Sequence, residues 1–71
     1  MQFNNLGAKY VNKGMLDEAI LNFKRALLIK PDFAEVHNNL GVAYSRQKMF
    51  DEAIGEFKEA IKINPDYSKA H

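Results

Sequence analysis

Cysteine is absent from this 71-residue chain. Disulfides, thiolate metal sites and a cysteine nucleophile are therefore excluded. Long hydrophobic runs are missing too. The longest uninterrupted apolar stretch is Ala26 to Ile29, whereas a membrane-spanning helix needs about 20 apolar residues. An excess of one charge is also lacking: 10 basic residues face 9 acidic ones, for a net charge of +1. Nucleic-acid binders draw much of their affinity from phosphate contacts and carry a basic stripe. Anionic membrane surfaces select for basic clusters in the same way. Neither partner is expected here. Met1-Gln2-Phe3-Asn4-Asn5 has no positive segment leading into an apolar one, so no signal peptide is visible. The expected location is cytoplasmic.

What is present is ordinary for a globular chain. Hydrophobic residues make up 46% and charged residues 27%, which argues against disorder. A core of this size is marginal, because short chains bury a smaller fraction of their surface.

The dominant signal is an internal repeat. At an offset of 34, 17 of the 37 residue pairs are identical. Asn4, Asn5, Leu6, Gly7 and Tyr10 recur as Asn38, Asn39, Leu40, Gly41 and Tyr44. Met15, Asp17, Glu18, Ala19 and Ile20 recur as Met49, Asp51, Glu52, Ala53 and Ile54. Phe23, Ala26 and Pro31 return as Phe57, Ala60 and Pro65.

Each copy reads as two helices. Phe3, Leu6, Gly7, Tyr10 and Val11 recur at helical spacing. Asn12-Lys13-Gly14 breaks the pattern, with Gly able to end a helix in a left-handed conformation. Asp17 and Glu18 place negative charge where a second helix begins, which suits its dipole. Ala19, Ile20, Phe23, Ala26, Leu27 and Lys30 continue one face, until Pro31 ends it. Asp32 and Glu35 have the spacing of a capping box for the next helix. The second copy predicts helices over about 33–47 and 51–63. Its turn carries Lys48 where the first has Gly14, and Gly55 replaces Leu21 inside a helix, at a cost of about 1 kcal/mol relative to Ala. Gly7 and Gly41, mid-helix, are expected to permit close approach of another helix. Small Ala19, Ala26, Ala53 and Ala60 should alternate with Tyr10, Phe23, Tyr44 and Phe57 in the packing.

These residues resemble the tetratricopeptide repeat, whose first helix reads W-x2-L-G-x2-Y with later Ala, Phe and Pro. The first copy has Phe3-x2-Leu6-Gly7-x2-Tyr10, then Ala19, Phe23, Ala26 and Pro31. The second has His37-x2-Leu40-Gly41-x2-Tyr44, then Ala53, Phe57, Ala60 and Pro65. Phe3 and His37 depart from the usual Trp, and Lys48 from the usual turn Gly. The resemblance implies an all-α fold: two stacked antiparallel helix-turn-helix repeats forming a right-handed α-solenoid segment. Residues 1–71 form one module, with repeat 1 over about 1–33, repeat 2 over about 34–67 and the start of a third at 68–71. Arrays generally need three or more units, so the chain reads as an excised piece of a larger protein or as a short chain that self-associates.

The resemblance also implies function: a non-catalytic scaffold that binds a protein or peptide in a concave groove, without cofactors. The groove positions it implies are Asn4, Asn5, Ala8 and Asn12 in the first copy, and Asn38, Asn39, Val42 and Arg46 in the second. Lys69 would belong to the third. Each carboxamide can pair with both N–H and C=O of an extended backbone, and Asn5 and Asn39 resemble the asparagine ladder of one family member. The alternative is plain solvation of these residues. The carboxylate clamp of chaperone-binding members fits poorly, because Asn4 and Ala8 stand where it needs Lys and Asn.

Other chemistry finds no constellation. His37 and His71 occupy a packing position and are expected to be partly buried. No set of three or four converging metal ligands is grouped in the sequence. Asp17-Glu18 and Asp51-Glu52 are explained by helix starts. Met15 and Met49 are expected to pack between helices, and Lys24, Arg25, Lys58, Glu59 and Lys62 to form a solvated face. The outer face of the helix at 51–63 would be uncovered, and such a patch marks association. A homo-oligomer through that face is the rival reading.

Overall fold

A computed structural model describes residues 2–65. It contains four helices: α1 (Gln2–Asn12), α2 (Leu16–Ile29), α3 (Ala34–Arg46) and α4 (Phe50–Ile63). α1 packs on α2 and α3 on α4, while α2 joins the two hairpins by packing on α3. Contact between α1 and α3 is lighter. The all-α expectation holds, and the helices of the second copy match the sequence reading to within a residue. Among the described residues, no helix is long and apolar enough to cross a membrane.

The core forms where α2 meets its neighbours. Phe23, Leu40 and Val36 are its largest fully buried side chains, packed with Ala19, Ala26, Ala43 and the slightly exposed Tyr44. Gly7 explains how the Phe23 ring fits. A Cβ on Gly7 would collide with the Phe23 ring edge, with Cδ1 at 2.6 Å and Cζ at 2.8 Å. Gly41 stands in the same relation to Phe57, with Cδ1 at 2.9 Å. The mid-helix glycines therefore make room for a ring from the second helix of their own repeat. Their local helix-propensity cost is offset by the packing they allow.

The turns inside the two repeats are alike despite their different residues. Gly14 N–H donates to the Val11 carbonyl at 3.0 Å, and Met15 N–H to the Tyr10 carbonyl at 2.9 Å. Lys48 N–H donates to the Ser45 carbonyl at 3.0 Å, and Met49 N–H to the Tyr44 carbonyl at 2.9 Å. Both are Schellman closures with a left-handed residue after the helix. Gly14 has φ +77° and Lys48 φ +65°. The lysine thus adopts a conformation that strains a side-chain-bearing residue.

Two local expectations need correction. The capping box at Asp32 and Glu35 does not form. Phe33 precedes α3 and makes no side-chain cap bond. Phe33 packs against the core, and the Lys30 ammonium lies 5.1 Å from its ring centroid. Burying that ring starts the helix one residue later, so Glu35 is too early for the box but still lies in the first turn. Met15 and Met49 are not buried between helices: they precede α2 and α4 and are 42% and 37% exposed.

Candidate interaction groove

α1 and α3 run side by side, and the helical period places Asn5, Ala8 and Asn12 on one face of α1. Asn39, Val42 and Arg46 hold the equivalent positions on α3. Between the helices lies a shallow cavity of about 170 Å3. Ala8, Val11 and Asn12 line one wall, Asn39 and Val42 the other, and Phe23 of α2 contributes to the lining. Four of the groove positions that the family resemblance implies therefore converge on one cavity: Ala8, Asn12, Asn39 and Val42.

The remaining groove positions differ. Asn5 and Arg46 are exposed outside the cavity lining, and Asn38 is half-buried. Asn4 is only 6% exposed. Its Oδ1 accepts a hydrogen bond from Asn39 Nδ2 at 2.9 Å. That bond crosses from α3 to α1, so Asn4 orients Asn39 at the cavity wall. Lys69 lies outside the described residues. Sequence reasoning missed Val11 and Phe23 as lining residues. The signal for Phe23 was Gly7, whose missing Cβ leaves an aromatic ring room to reach beneath α1.

A second polar node lies between α3 and α4. His37 Nδ1 is 2.7 Å from Glu56 Oε1, and Nε2 is 2.8 Å from the Pro31 carbonyl oxygen. Both partners are acceptors, so an imidazolium, donating from both nitrogens, satisfies both. Burial pushes the His37 pKa down. The hydrogen bonds to Glu56 and Pro31, with the charges of Glu56 and Glu59, outweigh that, and the net direction is upward from 6.5. His37 is partly buried, as expected, and in addition it bridges two polar groups. In the first copy the same slots hold Phe3 and Asn22. Asn22 Nδ2 instead donates to the Glu18 carbonyl at 2.9 Å. His71 lies outside the described residues.

α4 carries an apolar seam. Phe50, Ile54 and Ile61 are 57%, 50% and 44% exposed. Their counterparts Leu16, Ile20 and Leu27 on α2 are only half-exposed, and Ile20 and Leu27 pack against the core cluster.

Comparison with known proteins agrees with this architecture. A family model described as TPR repeat matches residues 7–48, and one described as Tetratricopeptide repeat matches residues 34–67. Two crystal structures of MamA superpose with TM-scores of 0.84 and 0.82, each at 31% sequence identity. Each match covers 94% of this chain, which spans 39% and 37% of the respective MamA chains. No curated protein matches the chain closely enough to carry an argument. The repeat pattern, the hairpin geometry and the family models agree, and the chain belongs to the tetratricopeptide-repeat family.

Proposed function

We propose that this chain is a protein-interaction module whose groove between α1 and α3 receives a peptide or partner helix. The observation that carries the reading is the cavity itself. It offers an apolar floor from Val11, Val42 and Phe23 beside the carboxamides of Asn12 and Asn39. An apolar side chain of the ligand would fill the cavity, while the carboxamides pair with its backbone. Asn39 is held by Asn4, which reduces the ordering cost on binding. The family's repeats are generally non-catalytic, and the same role is proposed here. The test is Ala8→Arg, which fills the cavity from an exposed position without breaking α1. For a partner captured by the immobilised chain, it should weaken binding about tenfold, or 1.4 kcal/mol. Unchanged affinity with unchanged helicity would reject the groove.

The α4 seam favours a second reading, in which another helix docks across Phe50, Ile54 and Ile61 in self-association. The face that repeats it on α2 is covered by α3.

A further inference from the structure

Six exposed residues follow one another along the outward face of α2: Asp17, Glu18, Leu21, Lys24, Arg25 and Leu28. Their spacings of three and four put them on a single stripe. Leu21 is 49% exposed and Leu28 84%. The internal repeat acts as a control for what the fold needs. At the matching sites of α4 stand Gly55 and Lys62, so neither leucine is required to build this hairpin. Among the described residues, no ion pair engages the four charges of the stripe. Asp17 Oδ1 accepts a hydrogen bond from Gln47 Nε2 at 2.7 Å, which leaves its second oxygen open to another donor.

The order along the stripe is acid, leucine, base, leucine. About Leu21, the acid–leucine–base part of that order is complementary to its own reverse. With Leu21 at the centre, the helical period sets Asp17 and Lys24 on one flank, Glu18 and Arg25 on the other. A two-fold axis beside Leu21 reverses the helix direction and keeps each flank on its own side. Asp17 then faces Lys24 of the second copy, and Glu18 faces its Arg25, each pairing occurring twice. Leu21 meets Leu21, and Leu28 reaches the start of the opposite α2. The corresponding stripe of α4 lacks this property. There Glu52 would face Glu59, and the centre would be Gly55.

We propose that two copies of the chain pair antiparallel through α2 about Leu21, with the leucines as the apolar seam and the Asp17–Lys24 and Glu18–Arg25 contacts setting the register. One helix pair buries less than the ~1,200 Å2 of a standard interface, so this dimer forms at high micromolar to millimolar concentrations. It uses a face distinct from both the groove and the α4 seam.

Sedimentation equilibrium over that concentration range tests it, with circular dichroism to check that each variant keeps its helicity. The chain should self-associate to a dimer. Leu28→Lys, which places the second repeat's residue in the first, and Arg25→Glu should each weaken the dimer about tenfold. Combining Glu18→Arg with Arg25→Glu exchanges the charges across the interface and should return the affinity to within about twofold. A chain that stays monomeric to millimolar concentration overturns the proposal. So does a dimer indifferent to Arg25→Glu, or one not rescued by the exchange. A dimer lost with Ile54→Lys but not with Leu28→Lys assigns association to α4 and overturns it equally.

Discussion

Three helical glycines of one chain should respond to alanine in three different ways. At Gly7 the new methyl enters space held by Phe23, with Cδ1 at 2.6 Å and Cζ at 2.8 Å from the Cβ position. Carbon pairs are comfortable at about 3.5–4.0 Å, so the ring must retreat by about 1 Å. Phe23 is 1% exposed and belongs to the buried cluster, so retreat means displacing other core residues. Overpacking costs about 1–3 kcal/mol, and Gly7 should sit at the upper end. Replacing a helical glycine with alanine returns about 1 kcal/mol. The net loss for Gly7→Ala is then about 2 kcal/mol. At Gly41 the distances are similar, with Phe57 Cε1 at 2.7 Å and Cδ1 at 2.9 Å. Phe57, however, is only half-buried, and its ring can move toward solvent. The two effects should nearly cancel there, leaving a loss of about 0–1 kcal/mol. Nothing lies within 4 Å of the Cβ position at Gly55, so Gly55→Ala should gain about 1 kcal/mol. Urea unfolding followed by circular dichroism measures all three, provided the m-value stays constant. If Gly7→Ala proves as stable as Gly41→Ala, the Phe23 ring is not confined and the argument from burial fails.

Two further perturbations follow from the turns and from His37. Lys48→Gly should raise stability by about 0.5–1 kcal/mol, because glycine removes the left-handed strain but widens the unfolded ensemble. Gly14→Ala should lower it by about 1 kcal/mol at the matching turn, and thermal unfolding of the pair would expose a reversed order. For His37, the folded pKa lies above the reference of 6.5. The stability it supplies is therefore complete below that pH and is lost as pH rises through the higher folded value. Unfolding free energy should fall over that window, and His37→Phe, which copies the first repeat, should remove this part of the slope. A free energy that rises there, or a slope unchanged in the variant, would contradict the assignment.

What the sequence determined by itself is the repeat and the material of its helices. A period of 34 needs no structure to be seen, and neither does the helical spacing of Leu6, Gly7 and Tyr10. The pairing of Gly7 with a close neighbour was legible because a mid-helix glycine is locally unfavourable and calls for a packing reason. The identity of that neighbour, a Phe23 ring, depended on how α2 rotates against α1. The family likeness singled out Ala8 and Val42, and both line the cavity between α1 and α3. Tertiary structure alone decided which polar groups meet. Asn4 turned inward to hold Asn39, and His37 reached Glu56 across 19 positions of sequence. It also decided where α3 begins: burial of Phe33 took precedence over the Asp32 and Glu35 pattern. Contacts within a turn or a helix face depend on neighbours a few residues away and are written locally. Contacts between helices depend on distance and rotation, which arise only when the apolar faces have packed.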